Sequence, residues 1–98
     1  MRITTSVLKV LGAFLSAPDE LSGAQISEIT GLASGTLYPI LFRLEEKKWL
    51  QSEWEQGDPS ELGRPRRRFY RITGLGARSA RKEIGQLKTM LESTAWTA

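Results

Sequence analysis

Five arginines stand within eight residues: Arg64, Arg66, Arg67, Arg68 and Arg71. A guanidinium keeps its charge at any working pH. Its planar fork of donors matches phosphate oxygens and fits the floor of a narrow minor groove. Residues 64–82 hold eight basic side chains and no acidic one, whereas residues 1–63 hold five basic and nine acidic. The net charge of +3 is therefore concentrated in one stretch, which is the footprint of a polyanionic partner. The competing use of these arginines is pairing with the nearby acids Glu53, Glu55, Asp58 and Glu61. Arg68 and Arg71 lie towards the core end of the segment and are the first expected to pair. Arg64, Arg66 and Arg67 near the tip are then the better placed for nucleic acid, with Arg68 kept as a fourth DNA-binding candidate.

A second group lies upstream. Ser34, Thr36, Tyr38 and Arg43 share the polar side of an amphipathic segment, with Pro39 and Phe42 also turned away from its apolar face. Hydroxyls and N–H groups at a helix N-terminus hold phosphates, and an exposed arginine reads guanine. Each residue also has a structural use: Ser34 as a helix cap, Tyr38 as packing against the first helix.

Other chemistry is excluded. The chain has no cysteine and no histidine, so it lacks thiol nucleophiles, disulfides, the usual zinc ligands and an imidazole base. The acids are scattered and form no catalytic constellation. Gly74-Leu75-Gly76 follows a strand and opens a helix, but Ser79 stands at the third glycine position of a dinucleotide fingerprint. The sequence predicts neither an enzyme nor a cofactor or metal site. Lys9 interrupts the apolar run near the N-terminus, and nothing approaches the roughly 18 apolar residues of a membrane span. A protein of the cytoplasm, without a membrane partner, is expected.

The 98 residues suffice for one small domain with a thin core. Thr4 or Thr5 caps a first helix with Val7, Leu8, Leu11, Phe14 and Leu15 on its apolar side. Ser22 or Gly23 opens a short second helix through Thr30, with Ala24, Ile26 and Ile29 apolar. A four-residue turn, Gly31 to Ser34, leads to a third helix running to about Lys47, with Leu37, Ile40, Leu41 and Leu44 on one face. Leu50–Glu55 and Arg66–Ile72 read as two strands joined by a loop of about ten residues. Thr73 caps a last helix, on which Ala77, Ala80, Ile84, Leu87 and Leu91 recur at spacings of 3 and 4. That two-position seam calls for a second copy of itself. Trp96 sits beside it, either lining a pocket for a small aromatic ligand or, the favoured role, closing the end of the dimer. The expected fold is mainly α with a small β-hairpin: a winged helix-turn-helix over residues 1–72 and a C-terminal dimerisation helix over 73–98, forming one compact unit.

With these residues in view, the chain resembles the PadR family of bacterial transcriptional regulators. The third helix, Ser34-Gly35-Thr36-Leu37-Tyr38-Pro39-Ile40-Leu41-Phe42-Arg43-Leu44-Glu45-Glu46, is similar to that family's signature. So is the wing, Gly63-Arg64-Pro65-Arg66-Arg67-Arg68-Phe69-Tyr70-Arg71-Ile72-Thr73. The resemblance covers about residues 4–92. It implies a homodimer on double-stranded DNA, usually a repressor on an inverted-repeat operator, with the third helix in the major groove and the wing on the neighbouring backbone or minor groove. The closer match is to members with a single short C-terminal helix. Some members release DNA when small aromatic compounds bind. Lys48 departs from the family, replacing a glycine that commonly ends the third helix, and must therefore bear a left-handed conformation or a different exit.

Two further readings compete with the DNA-binding regulator: a winged helix used for protein–protein interaction, and a small-molecule sensor with weak DNA binding. The arginine cluster argues against the first, because a protein-binding wing has no need of five guanidinium groups.

Overall fold

The computed structural model describes the backbone of residues 1–16 and 19–97, and the side chains of these up to Ser93. Helix α1 spans Thr5–Ser16, strand β1 Leu21–Ser22, helix α2 Gly23–Thr30 and helix α3 Ser34–Glu46. Strand β2 follows at Leu50–Trp54, a single-turn helix α4 at Pro59–Leu62, strand β3 at Arg68–Ile72 and helix α5 at Gly74–Thr97. The fold is a winged helix-turn-helix, mostly helical with a small antiparallel sheet and a C-terminal helix. The sheet has three strands in the order β1-β3-β2, rather than the expected two. The extra strand is two residues long, pairing Leu21 with Tyr70 and Ser22 with Phe69.

Local rules explain most element boundaries. Thr4 Oγ1 accepts the Val7 N–H, so Thr4 caps α1. Ser22 and Gln25 form a reciprocal capping box at the start of α2. Gly31 ends α2 with φ of 74°, a conformation that costs glycine little. The turn into α3 is then pinned by the Ser27 hydroxyl donating to the Leu32 carbonyl at 2.7 Å. Ser34 does not cap α3. Ala33 occupies that position without a side-chain bond, and Ser34 is the first helical residue, exposed to solvent.

The core gathers Val7, Val10, Leu11 and Phe14 from α1, Ile26 from α2, and Leu37, Ile40, Leu41 and Leu44 from α3. Leu50, Tyr70 and Ala80 close it. Each fully buried leucine is worth roughly 1.5–3 kcal/mol against exposure. Helix α2 contributes less than its sequence suggests, because Ala24 and Ile29 face solvent. A two-turn helix meets the core along a narrow strip, and Ile29 lies about 60° around the axis from Ile26, beyond its edge.

The presumed tip loop also differs. Asp58 Oδ1 accepts the Ser60 N–H, Pro59 occupies the first turn, and Gly63 at φ of 71° ends α4. The loop is thus organised around one helical turn.

Helix α5 is tied to the end of α3. The Thr73 N–H donates to the Trp49 carbonyl at 2.9 Å, and the Thr73 hydroxyl donates to the Lys48 carbonyl at 2.6 Å. The same Thr73 oxygen accepts the Gly76 N–H, capping α5 as expected. A Cβ on Gly76 would fall on the Trp49 carbonyl oxygen, so this crossing admits only glycine without movement. Beyond the crossing, α5 leaves the body. The radius of gyration is 15.6 Å, against about 13 Å for a compact chain of this length, and the long axis measures 60 Å. Among the described residues, no helix is long and apolar enough to cross a membrane.

The seam on α5 is therefore divided. Ala80 is fully buried in the core of its own chain, and Ala77 is half-buried near it. Ala80 is thus corrected from a dimer position to a core position. The first turns of α5 lie against α1, and that contact covers Ala80 before any second chain arrives. Further out, Ile84, Leu87 and Leu91 line an apolar groove of about 480 Å³, edged by Lys88 and Glu92. Trp96 lies outside the residues whose side chains are described.

Candidate nucleic-acid interface

The outer face of α3 is unburied. Thr36, Tyr38, Pro39, Phe42 and Arg43 are exposed, Phe42 at 64% and Tyr38 at 48%. Tyr38 leans on the start of α2 rather than on α1. A Cβ at Gly23 would collide with the Tyr38 hydroxyl, so the absence of a side chain there makes room for the ring.

The wing stands beside this face. In β2–β3 the residues alternate, so Leu50, Ser52 and Trp54 pair with Ile72, Tyr70 and Arg68 on one side of the sheet. A cleft of about 530 Å³ joins the two parts, with Tyr38 of α3 and Trp54 of the sheet among its walls and all four of Arg64, Arg66, Arg67 and Arg68 along its wing side. Aromatic walls edged with guanidinium groups suit a sugar–phosphate chain, which offers both anionic oxygens and flat or apolar surface.

The structure separates the wing arginines by what holds them. Arg64 donates through both terminal nitrogens to Glu55, at 2.6 Å to Oε1 and 2.9 Å to Oε2. That bidentate pair holds the Glu55 carboxyl down from the ordinary 4.5 to about 2. Arg64 was expected to be free for DNA; it is engaged within its own chain, because the α4 turn carries it back across the loop to Glu55. Arg66 donates through Nε to the Gly57 carbonyl at 2.6 Å and remains exposed.

Arg68, a DNA-binding candidate from the sequence, is held within its own chain, and by Glu45 of α3 rather than by one of the four acids near the wing. Its Nε donates to Ser52 Oγ at 2.9 Å, and one terminal nitrogen reaches Glu45 of α3 at 3.3 Å. Its guanidinium also lies 5.4 Å from the Trp54 ring centre. Arg68 therefore ties the wing to α3 while its side chain stays partly exposed at the cleft. Arg71 pairs with Glu20 at 3.5 Å. Among the described residues, the guanidinium groups of Arg67 and Arg43 have no hydrogen bond or ion pair; both side chains are exposed.

Two residues of this surface escaped the sequence reading. Trp54 is 56% exposed and forms one wall of the cleft, and Glu55 closes the wing. Trp54 was legible only as one end of a strand. Glu55 was one of four acids near the arginines, and only the hairpin register selects it. The Glu55 N–H donates to the Arg67 carbonyl at 2.8 Å, and the Arg67 N–H donates back to Glu55 Oε1 at 3.2 Å.

Comparison with known proteins agrees with this geometry. A PadR family transcriptional regulator from Eggerthella lenta DSM 2243 superposes with a TM-score of 0.77 at 26% identity, over 95% of this chain and 80% of that one. The PcaV transcriptional regulator from Streptomyces coelicolor, solved in complex with its natural ligand, gives 0.76 at 24% identity, over 98% of this chain and 63% of that one. A transcriptional regulator homologue from Pyrococcus horikoshii OT3 gives 0.74 at 19% identity, over 90% and 81%. These last two likenesses speak for the fold. No curated protein matches the chain in sequence. The model of the transcriptional regulator PadR-like family matches residues 21–82, from β1 through the first turns of α5, and the chain belongs to that family of DNA-binding transcriptional regulators rather than to a family of enzymes.

Proposed function

We propose that the chain acts in the cytoplasm as a homodimeric repressor. Residues 1–72 would bind double-stranded DNA, and residues 73–98 would pair the two copies. The observation that carries this reading is the cleft joining the exposed side of α3 to the wing, since the two elements proposed to meet DNA then share one surface. In this reading α3 enters the major groove with Thr36, Tyr38, Pro39 and Arg43, while Ser34 meets a phosphate at its N-terminal turn. Arg66 and Arg67 lie on the neighbouring backbone or minor groove. The groove formed by Ile84, Leu87 and Leu91 supports pairing through α5, because an apolar stripe on a projecting helix is most simply covered by its own copy.

Release by a small aromatic effector is the further part of this reading. Its support is the PcaV regulator, solved in complex with its natural ligand. Trp96, near the proposed pairing surface, is the candidate contact.

Selection of genomic DNA fragments at physiological salt, with the purified protein as bait, tests the reading. Recovery of an inverted repeat, with halves about one or two helical turns apart, is expected. Binding without a recoverable motif would leave a basic architectural protein. No binding at all would favour protein–protein interaction. Replacing Arg66 and Arg67 together by Ala is expected to weaken binding to every duplex and flatten its salt dependence.

A further inference from the structure

Glu55 is an acid in the middle of a surface that meets a polyanion. By charge alone it opposes binding. Its bonds point the other way. One carboxylate oxygen receives both an Arg64 guanidinium N–H and the Arg67 backbone N–H, and the other receives a second Arg64 N–H. The Glu55 N–H completes a reciprocal pair with the Arg67 carbonyl. The segment between them is closed from within: Asp58 caps α4, Gly63 ends it, and Arg66 holds the Gly57 carbonyl. The loop is thus latched at one carboxylate, and the residue fixed at the latch is Arg67. Its guanidinium, unlike those of Arg64 and Arg68, is free of hydrogen bonds and ion pairs among the described residues.

We propose that Glu55 is a positioning residue for DNA binding: it fixes the wing backbone at Arg67, whose guanidinium the wing then presents to DNA beside that of Arg66, and it uses Arg64 as its clamp. This inference rests on the DNA-binding reading above. It divides the cleft arginines into two that are paired to acids of their own chain, Arg64 and Arg68, and two that are more exposed, Arg66 and Arg67. It also explains why an acid is placed where charge alone would exclude one.

The sign of one substitution decides between positioning and mere charge. Glu55→Gln and Glu55→Ala both remove one negative charge. If Glu55 only repels DNA, both variants bind more tightly, equally so, and with a steeper salt dependence. If it positions Arg67, both bind less tightly despite the added positive charge. Ala then loses more than Gln, because Gln keeps one acceptor oxygen.

The test is fluorescence anisotropy with duplex DNA of random sequence over a range of sodium chloride, using the full chain. Arg67→Ala is expected to lower the salt slope by about 1 per chain bound. Glu55→Ala is expected to weaken binding about tenfold, the order of one charge-assisted hydrogen bond, and to flatten the slope like Arg67→Ala. The double variant is expected to lose no more than Arg67→Ala alone, because Glu55 acts through Arg67. Circular dichroism of each variant checks that the body stays folded, and Glu55→Gln serves if Glu55→Ala does not. Tighter binding by the Glu55 variants would overturn the proposal and leave the DNA reading intact. So would additive losses in the double variant. Failure of the wild-type chain to bind duplex DNA would overturn both.

Discussion

Glu55 and Arg64 couple the wing to acid. Because the folded carboxyl titrates near 2 rather than 4.5, the pair's contribution is complete above pH 4.5 and is lost as the pH falls through about 2. Thermal unfolding followed down this window is expected to show a smaller fall in midpoint for Glu55→Gln than for the wild type. Equal falls would place the acid sensitivity elsewhere. Gly76 offers a second test at this scale. Its contact with the Trp49 carbonyl is to backbone, which cannot rotate away as a side chain would. Gly76→Ala is expected to cost about 1–3 kcal/mol in denaturant unfolding, the range of an overpacked core site. A variant as stable as the wild type would mean that the crossing has room to open. The dinucleotide motif that Gly74 and Gly76 faintly suggest thus has a packing cause.

At the scale of elements, the end of α3 is the point of strain. The Trp49 N–H donates to the Leu44 carbonyl and the Lys48 N–H to that of Glu45, a Schellman closure. The residue in the left-handed position is Lys48, at φ of 65°. The family resemblance left two outcomes open for Lys48, a left-handed conformation or a different exit, and the chain takes the first. Lys48→Gly is expected to stabilise the fold by about 1 kcal/mol, raising the melting midpoint by roughly 4–8 °C. An unchanged or lower midpoint would mean that the left-handed turn carries no penalty here. Elements with strong periodicity or a cap were legible: α1, α3, β2, β3 and α5 stand close to where spacing put them. What escaped was too short to show a period. Strand β1 has two residues and exists because β3 is there to pair with it. Helix α4 has four, and its Asp58, Pro59 and Gly63 are as much loop residues as helix signals. The wing's contacts were legible in part. Proximity to the core suggested pairing for Arg68 and Arg71, but their partners are Glu45 and Glu20, outside the four acids named from the sequence, and Arg68 was still counted for DNA; the turn that returns Arg64 to Glu55 is a property of α4, which the sequence did not disclose.

At the scale of the whole molecule, the heptad spacing on α5 was read as one seam for a second copy, but its first part, Ala80, is buried in its own chain. Periodicity shows that a stripe is to be covered; it does not tell own chain from second copy. The body takes Ala80, and the outer groove takes Ile84, Leu87 and Leu91. Leu87→Glu is expected to leave the circular dichroism spectrum near that of the wild type and to convert a dimer to a monomer in sedimentation, since it places an unpaired charge in the proposed seam. A dimeric variant would remove α5 as the pairing element.

The fastening of Thr73 to the carbonyls of Lys48 and Trp49, with Gly76 pressed on the same strand of backbone, has a mechanical meaning. It fastens the start of the long arm to the residues just after α3, the helix proposed to enter the groove. The two form a single crank. Over an arm of about 36 Å, a tilt of roughly 5° at one end displaces the other by about 3 Å. In the proposed pair of such cranks, a change in the angle at which the arms cross would become a change in the distance between the two α3 helices. The spacing of the half-sites would be gauged by the crossing of the arms, far from any base.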